Sequence, residues 1–288
     1  MVIEFNIDRA DFQTDKYRYK VKQMKKTILI TGSTDGIGLS TAKSLLNLGH
    51  IVLLHGRSEE KLAKVKQQLL TLASSEQIFT YKADLSIIAE VNTLASAIAD
   101  NHQKLDAVIN NAGVFIVPET VSRDGLDVRF MVNTIAPYLL TQQLLPLLDE
   151  QSRVINLSSA AQASVLPEEL TKPSPLSDNA VYAKSKLALT MWSRHMALQL
   201  GDSGPSIIAI NPKSFLGSKM VEQAYGVAGG DLQIGADILV KAVLSDEFAN
   251  KSGLYFDNDI RQFTAPHPDA TNTKKIAQIA EVIEHIIH

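Results

Sequence analysis

Short apolar runs and longer amphipathic stretches alternate along this chain from about residue 27 onward. Residues 27–31 (TILIT) are a β-branched run that stops at a glycine and predict a buried strand. Residues 51–55 (IVLLH), 78–82, 105–110 (LDAVIN), 153–157 (RVINL), 206–211 (SIIAIN) and 253–256 repeat the pattern. Between these runs the apolar positions fall at helical spacing. In residues 36–48, Ile37, Ala42, Leu45 and Leu46 share one face, and Gly49 ends the run. Ser58, followed by Glu59, Glu60 and Lys61, opens a helix reaching about residue 73. Further helices are predicted up to about residue 100 and over 127–148, 181–200, 235–244 and 274–287. Strands alternating with helices imply parallel pairing, right-handed crossovers and helices on both sheet faces. The expectation is a single α/β domain over residues 25–288, doubly wound, with a seven-stranded parallel sheet ordered 3-2-1-4-5-6-7.

Two stretches interrupt the alternation. Residues 160–180 contain three prolines, and residues 213–232 carry Gly217, Gly226, Gly229 and Gly230. Both follow the carboxyl ends of strands, where this architecture places its ligands. Loops longer than about 12–15 residues usually have a task, so both are expected to border a substrate. Residues 1–24 read as an amino-terminal extension whose Phe5, Phe12, Tyr17 and Tyr19 are available for packing.

Composition narrows the function classes. The 288 residues are 45% hydrophobic, ample for one large core, and the formal charge of −3 argues against general nucleic-acid binding. There is no cysteine, which removes disulfides, thiolate nucleophiles and thiolate-bound metals. The seven histidines show no ligand spacing, so no metal is expected. No signal-peptide pattern opens the chain and no apolar run reaches transmembrane length, so a cytoplasmic protein is expected.

Between the first strand and helix lies Thr31-Gly32-Ser33-Thr34-Asp35-Gly36-Ile37-Gly38. A dinucleotide site needs glycine where the chain turns sharply, where backbone approaches the pyrophosphate, and where helix packs closely on strand. The helix amino terminus then offers unpaired N–H groups to the anion. The strand–turn–helix context makes this a Rossmann-type nucleotide site rather than a simple helix cap. At the end of the second strand, where a carboxylate would select NAD, stand Gly56, Arg57 and Ser58. Arg57 can bind a 2′-phosphate through a charge-assisted fork or can be an ordinary solvated arginine; NADP(H) is the expected cofactor.

Tyr182 and Lys186, four apart on one helix, share a face. A phenol normally titrates near pH 10, and a fixed ammonium favours its ionised form, which eases proton transfer near neutrality. Alone such a pair is commonplace. In this chain it accompanies TGSTDGIG at 31–38, DLS at 84–86, NNAG at 110–113, Asn133 within a helix and LSS at 157–159, before YAKSK at 182–186. In order and position these motifs resemble the short-chain dehydrogenase/reductase family over about residues 26–255. The resemblance implies roles by match. Asn133 corresponds to the residue at a backbone kink that holds a relay water, and Ser159 to the one that hydrogen-bonds the substrate oxygen. Tyr182 corresponds to the general acid/base, and Lys186 to its electrostatic partner, which also holds a ribose hydroxyl. Gly32, Ser33, Thr34, Asp35, Gly36, Ile37 and Gly38 would cradle the cofactor. Asp84 and Leu85 would border its adenine, with Asn111, Ala112, Gly113 and Pro212 lining the remainder. Asp84 can also cap a helix, and Asn110 and Asn111 can close a turn. A homodimer or homotetramer is also implied, with helices 127–148 and 181–200 available to pair across a two-fold axis.

Ser159 and Tyr182 lie 23 positions apart, wider than in commoner members. With Gly56-Arg57 and SGLYF at 252–256, this spacing resembles the retinol-dehydrogenase-like and WW-domain-oxidoreductase-like branch. After the sixth strand, Asn211-Pro212-Lys213-Ser214 departs from the Pro-Gly of many members, which puts the local backbone shape in question. Leu166, Phe215, Leu216, Met220 and Tyr225 are candidates for an apolar substrate pocket. The function expected is NADP(H)-linked interconversion of an alcohol with a ketone or aldehyde. The competing expectation is a catalytically silent NADP(H)-binding or protein-interaction module on the same fold.

Overall fold

The computed structural model describes residues 24–217 and 219–288, apart from the side chains of Ala224 and Tyr225. Except for Met24, the expected amino-terminal extension lies outside the described residues. The elements run Thr27–Ile30 (β1), Gly36–Asn47 (α1), Ile51–Gly56 (β2), Glu59–Leu69 (α2), Ile78–Lys82 (β3) and Ile88–Asn101 (α3). Ala107–Asn110 (β4) precedes Val128–Phe130 (α4), a π-helical segment at Met131–Ile135, and Ala136–Leu144 (α5). Arg153–Leu157 (β5), Asp178–Leu200 (α6), Ser206–Asn211 (β6), Lys219–Tyr225 (α7) and Leu232–Leu244 (α8) follow. Tyr255–Asp257 (β7), Gln262–Thr264 (β8) and Thr273–Ile287 (α9) close the chain.

The sheet order is β3-β2-β1-β4-β5-β6-β7-β8. The expected order therefore holds through seven strands, but there are eight, and β8 runs antiparallel to β7. Three residues, Gln262, Phe263 and Thr264, are too few to show a period in sequence. Tertiary contact makes them a strand: the Phe263 ring lies 5.1 Å from that of Phe248 and 5.0 Å from that of Phe256. The remaining strands pair in parallel, so successive side chains point to opposite helical layers. Ile28 and Ile30 enter the layer of α1, α2 and α8, whereas Leu29 enters that of α3, α5, α6 and α9.

The second layer is sealed unusually well. Every residue from Ser185 to Ser193 on α6 is buried, as is every residue from Met131 to Thr141. On α6 the cover is α9, whose Ile276, Ile279, Ala280 and Ile283 are buried, while α5 packs on α3 and is joined to α9 by Glu284, which accepts from Tyr138 Oη and from Gln142 Nε2. The central turns of α6 are thus covered by the chain's own last helix. Among the described residues no helix is long and apolar enough to cross a membrane.

Candidate active site

The carboxyl ends of β1, β2, β4, β5 and β6 converge around the point where strand order reverses between β1 and β4, the usual ligand crevice of such sheets. The three glycines of the first turn answer three different demands. Gly32, at φ 64°, lies so close to β4 that a Cβ there would meet Ala112 Cα at 2.8 Å. Gly36, at φ 57°, faces open space, so its conformation alone requires glycine. A Cβ on Gly38 would meet both Gly32 O and Asn111 Nδ2 at 2.5 Å. Asp35 caps α1, its carboxylate accepting from Gly36 N at 2.8 Å and pairing with Lys219. That ammonium's hydrogen bond, helped by the Gly36 N–H, outweighs burial, which works the other way, and leaves the Asp35 carboxyl below its ordinary range.

His55, which the sequence did not single out, organises this turn from β2. Its Nδ1 accepts from Gly32 N at 3.1 Å, and its Nε2 lies 3.1 Å from Ala83 O. Nδ1 must therefore be bare and Nε2 protonated. Burial pushes this imidazole down to about 4, so it is neutral at physiological pH. Ser33 is folded inward, its hydroxyl accepting from His55 N at 2.9 Å. A Cβ on Gly56 would sit 2.7 Å from Thr34 Cγ2, so that glycine admits the loop's close approach. Arg57 is exposed and has no hydrogen-bond or ion-pair partner among the described residues. The neighbouring Ser58 caps α2 by accepting from Lys61 N.

Asn111 ties β4 to β1, donating from Nδ2 to Thr31 O at 2.8 Å and to Gly32 O at 3.0 Å. Thr31 Oγ1 accepts in turn from Asn111 N and Ala112 N. Asp84 closes a local turn instead of capping α3, accepting from both Ser86 N and Ser86 Oγ, while Leu85 is buried.

Asn133 lies in the π-helical segment. Pro137 has no N–H to offer the Asn133 carbonyl four residues back, and the helix widens there, with Ala136 N donating to Met131 O. Its amide clasps the residue after Gly113, accepting from Val114 N and donating to Val114 O, each at 2.8 Å. The two serines after β5 separate in role. Ser158 Oγ is turned inward, 2.7 Å from Thr190 Oγ1. Ser159 is half-buried; its hydroxyl accepts from Ala161 N at 3.1 Å, and its carbonyl accepts from Tyr255 Oη at 3.1 Å.

Lys186 is the most telling side chain. It is buried, yet among the described residues it donates to Leu157 O alone, at 2.7 Å, so two of its three N–H groups remain for other use. Its Nζ lies 5.7 Å from the Tyr182 ring centroid and 3.4 Å from where a Cβ on Gly113 would stand. Desolvation pushes it down to about 8, so it is still mostly an ammonium at pH 7. Phe115, also unforeseen, meets the Tyr182 ring edge-on at 4.7 Å between centroids.

Asp127 and Arg129, both buried, form a two-point ion pair; Arg129 reaches Asp178 at the start of α6, and Asp127 accepts from Ser174 N. Lys184, between Tyr182 and Lys186, holds the 160–180 loop through Ser164 O and Glu169 Oε2. Of the apolar pocket candidates, Leu166 and Phe215 are 57% and 58% exposed and Leu216 is buried. Met220 brings its Cε within 3.8 Å of a Cβ built on Gly113, and the side chain of Tyr225 lies outside the described residues. Lys213 adopts φ 123°, so the glycine-like shape after Pro212 persists without the glycine.

The donor set fits a nicotinamide dinucleotide: an open glycine turn at a helix amino terminus, and a buried ammonium with donors in hand at the other end of the crevice. Together with the fold, this defines a dinucleotide-binding protein of the Rossmann type. Residues 26–225 match the family model for short chain dehydrogenases, and the chain belongs to that family, in its retinol-dehydrogenase-like branch. Retinol dehydrogenase 13 of Homo sapiens is 28% identical over 264 residues, which is 85% of this chain and 79% of that protein. Polyprenol dehydrogenase of Homo sapiens is 32% identical over 192 residues, 64% of this chain and 58% of that protein. Among solved structures, a Pseudomonas aeruginosa RhlG/NADP active-site complex matches with a TM-score of 0.65 at 26% identity, covering 81% of this chain and 94% of that one.

Proposed function

We propose that the chain is an NADP(H)-dependent oxidoreductase interconverting an alcohol and a ketone or aldehyde on an apolar substrate. The observation that carries this reading is Lys186, a buried ammonium beside the Tyr182 ring with donors left over after Leu157 O. Arg57, exposed and without a partner among the described residues, supports the 2′-phosphate. The NADP named in similar solved structures points the same way. Retinol and polyprenol, in the names of relatives, are apolar alcohols, in keeping with Met220 beside Gly113 and with Phe215 and Leu166 at the surface.

Gly32 to Gly38 would hold the pyrophosphate, Asp84 and Leu85 the adenine, and Asn111 to Gly113 with Pro212 the remainder. A nicotinamide held by these residues would supply or take the hydride. Tyr182 gives its hydroxyl proton to the carbonyl oxygen in reduction and takes it back in oxidation. Lys186 stabilises the resulting tyrosinate and donates to a ribose hydroxyl. Ser159 donates to the same substrate oxygen as charge grows on it. Asn133 fixes Val114 and so the floor beneath Tyr182 and Lys186.

The test is nicotinamide absorbance against panels of carbonyls and alcohols, followed by Tyr182→Phe on the best substrate. Turnover should fall by about 10²–10⁴ with little change in NADPH affinity. Lys186→Met should lose both turnover and affinity. Cofactor binding without turnover across the panels would instead make the chain a silent NADP(H)-binding module. Full activity in Tyr182→Phe would remove the proton role.

A further inference from the structure

The segment after β6 contains two non-glycine residues in the left-handed half of backbone space, Lys213 at φ 123° and Phe215 at φ 53°. Lysine and phenylalanine avoid such conformations unless their surroundings over-determine them. Around Lys213 the surroundings are the tip of the β7–β8 hairpin, whereas Phe215 O accepts from Gly230 N at 2.7 Å. Asn211 is buried and donates from Nδ2 to Asp257 Oδ1 at 2.8 Å and Asp259 Oδ2 at 2.9 Å. Asn258 donates from Nδ2 to Pro212 O at 2.9 Å and from N to Asn211 O at 3.1 Å. Asp259 accepts from Ser214 twice more, from N at 3.1 Å and from Oγ at 2.6 Å. Three consecutive side chains of the hairpin thus grip residues 211, 212 and 214 and leave Lys213 bridging the grip. Burial works against the Asp259 carboxylate, but hydrogen bonds from Ser214 and Asn211 and the nearby Lys213 charge outweigh it and hold the group below its ordinary range. The grip is therefore ionised at neutral pH.

We propose that Asp259, at the head of the Asp257-Asn258-Asp259 tip, is a positioning residue. It holds residues 211–214, with the strained Lys213 among them, in the conformation that sets the nicotinamide-side and substrate-side wall of the site. The inference rests on the function proposed above for what that wall touches, but not for the grip itself. Asp259 touches no reacting atom; it acts through Ser214 and Asn211. Its exposure at the rim means that its removal leaves the core intact. Asp259 lies in the turn between β7, which pairs with β6, and β8, which returns antiparallel along β7.

Two readouts separate the claims. The first is timed trypsin digestion of the cofactor-free full chain, following cleavage after Lys213 and Lys219. Asp259→Ala should speed cleavage there by about tenfold, with other sites unchanged. Adding Lys213→Gly to Asp259→Ala should restore most of the protection at Lys219, because glycine holds φ 123° without help. The second, on a substrate found in the panels, is the split between KM and kcat. Asp259→Ala should raise KM severalfold or more, and Lys213→Gly should bring it back. Unchanged cleavage in Asp259→Ala overturns the grip whether or not the wild type turns over any substrate. Faster cleavage with unchanged KM and kcat overturns the positioning role while the proposed function stands. Faster cleavage without rescue by Lys213→Gly shows that strain at Lys213 is not what Asp259 opposes, and sinks the proposal. If the wild type turns over nothing, the proposed function fails and the role at the wall fails with it, while the digestion still decides the grip.

Discussion

The turn after β1 and the turn after β6 flank the same crevice, and both carry residues at positive φ. In the first, these are Gly32 and Gly36, at 64° and 57°. In the second, they are Lys213 and Phe215, at 123° and 53°. The glycine turn needs no outside help to reach its shape; its neighbours, His55 and Asn111, fix its position through hydrogen bonds to Gly32. The β6 turn has the opposite arrangement. Its residues resist the conformation; a hairpin some 45 positions later holds the neighbours of Lys213, and Gly230 N donates to Phe215 O. One solution is written locally and tolerates no Cβ; the other is distributed and tolerates side chains at the cost of strain. A distributed solution can be changed one hydrogen bond at a time.

The largest expected effect is at the local end. Gly38→Ala would put a methyl group 2.5 Å from Gly32 O and Asn111 Nδ2, where backbone must move. A loss of about 3 kcal/mol or more in denaturant unfolding is expected, together with loss of NADPH binding. A stable, cofactor-binding Gly38→Ala protein would break the claim that this turn has no slack.

Next in size is the pH dependence set by His55. A histidine in the unfolded chain takes its proton near pH 6.5, whereas folded His55 resists until about 4. Between those values the unfolded state binds more protons, so this contribution to stability is complete above pH 6.5 and shrinks as pH falls towards 4. The full difference is about 3 kcal/mol. His55→Gln should flatten that part of the stability-against-pH curve; parallel curves for variant and wild type would show that His55 is not buried as a neutral ring.

Arg57→Ala tests whether the first end also selects the cofactor. NADPH affinity should weaken by about 1–2 kcal/mol and NADH affinity hardly at all, solvent screening keeping the loss towards the lower figure. Equal losses for the two cofactors would assign Arg57 to something other than the 2′-phosphate. The smallest effect is expected at the distributed end and has the opposite sign. Lys213→Gly removes strain at φ 123° but adds freedom to the unfolded chain, for a net gain of up to about 1 kcal/mol in unfolding free energy. A clear loss of stability would mean that Lys213 is comfortable where it is, and the contrast between the turns would go.

What could be read from the chain alone is what depends on local pattern. The positions of the first seven strands, the glycine turn and the helix bearing Tyr182 and Lys186 follow from period and glycine placement, because each is fixed within a few residues of where it is written, and the order of the motifs carried the strand order and the family. Tertiary structure decided what depends on partners far away. Gln262–Thr264 became a strand because β7 and two phenylalanine rings were there to receive it. His55 became a neutral brace because folding buried it between Gly32 and Ala83. Lys186 was pushed down to about 8 because the layers of the fold removed its water. The centre of α6 was closed because α9 folded back over it. Lys213 took a glycine's shape because Asn211, Asn258 and Asp259 converge on its neighbours. Burial and long-range hydrogen bonds have no period along a sequence, so the groups that tune this site came into view only when the chain was folded.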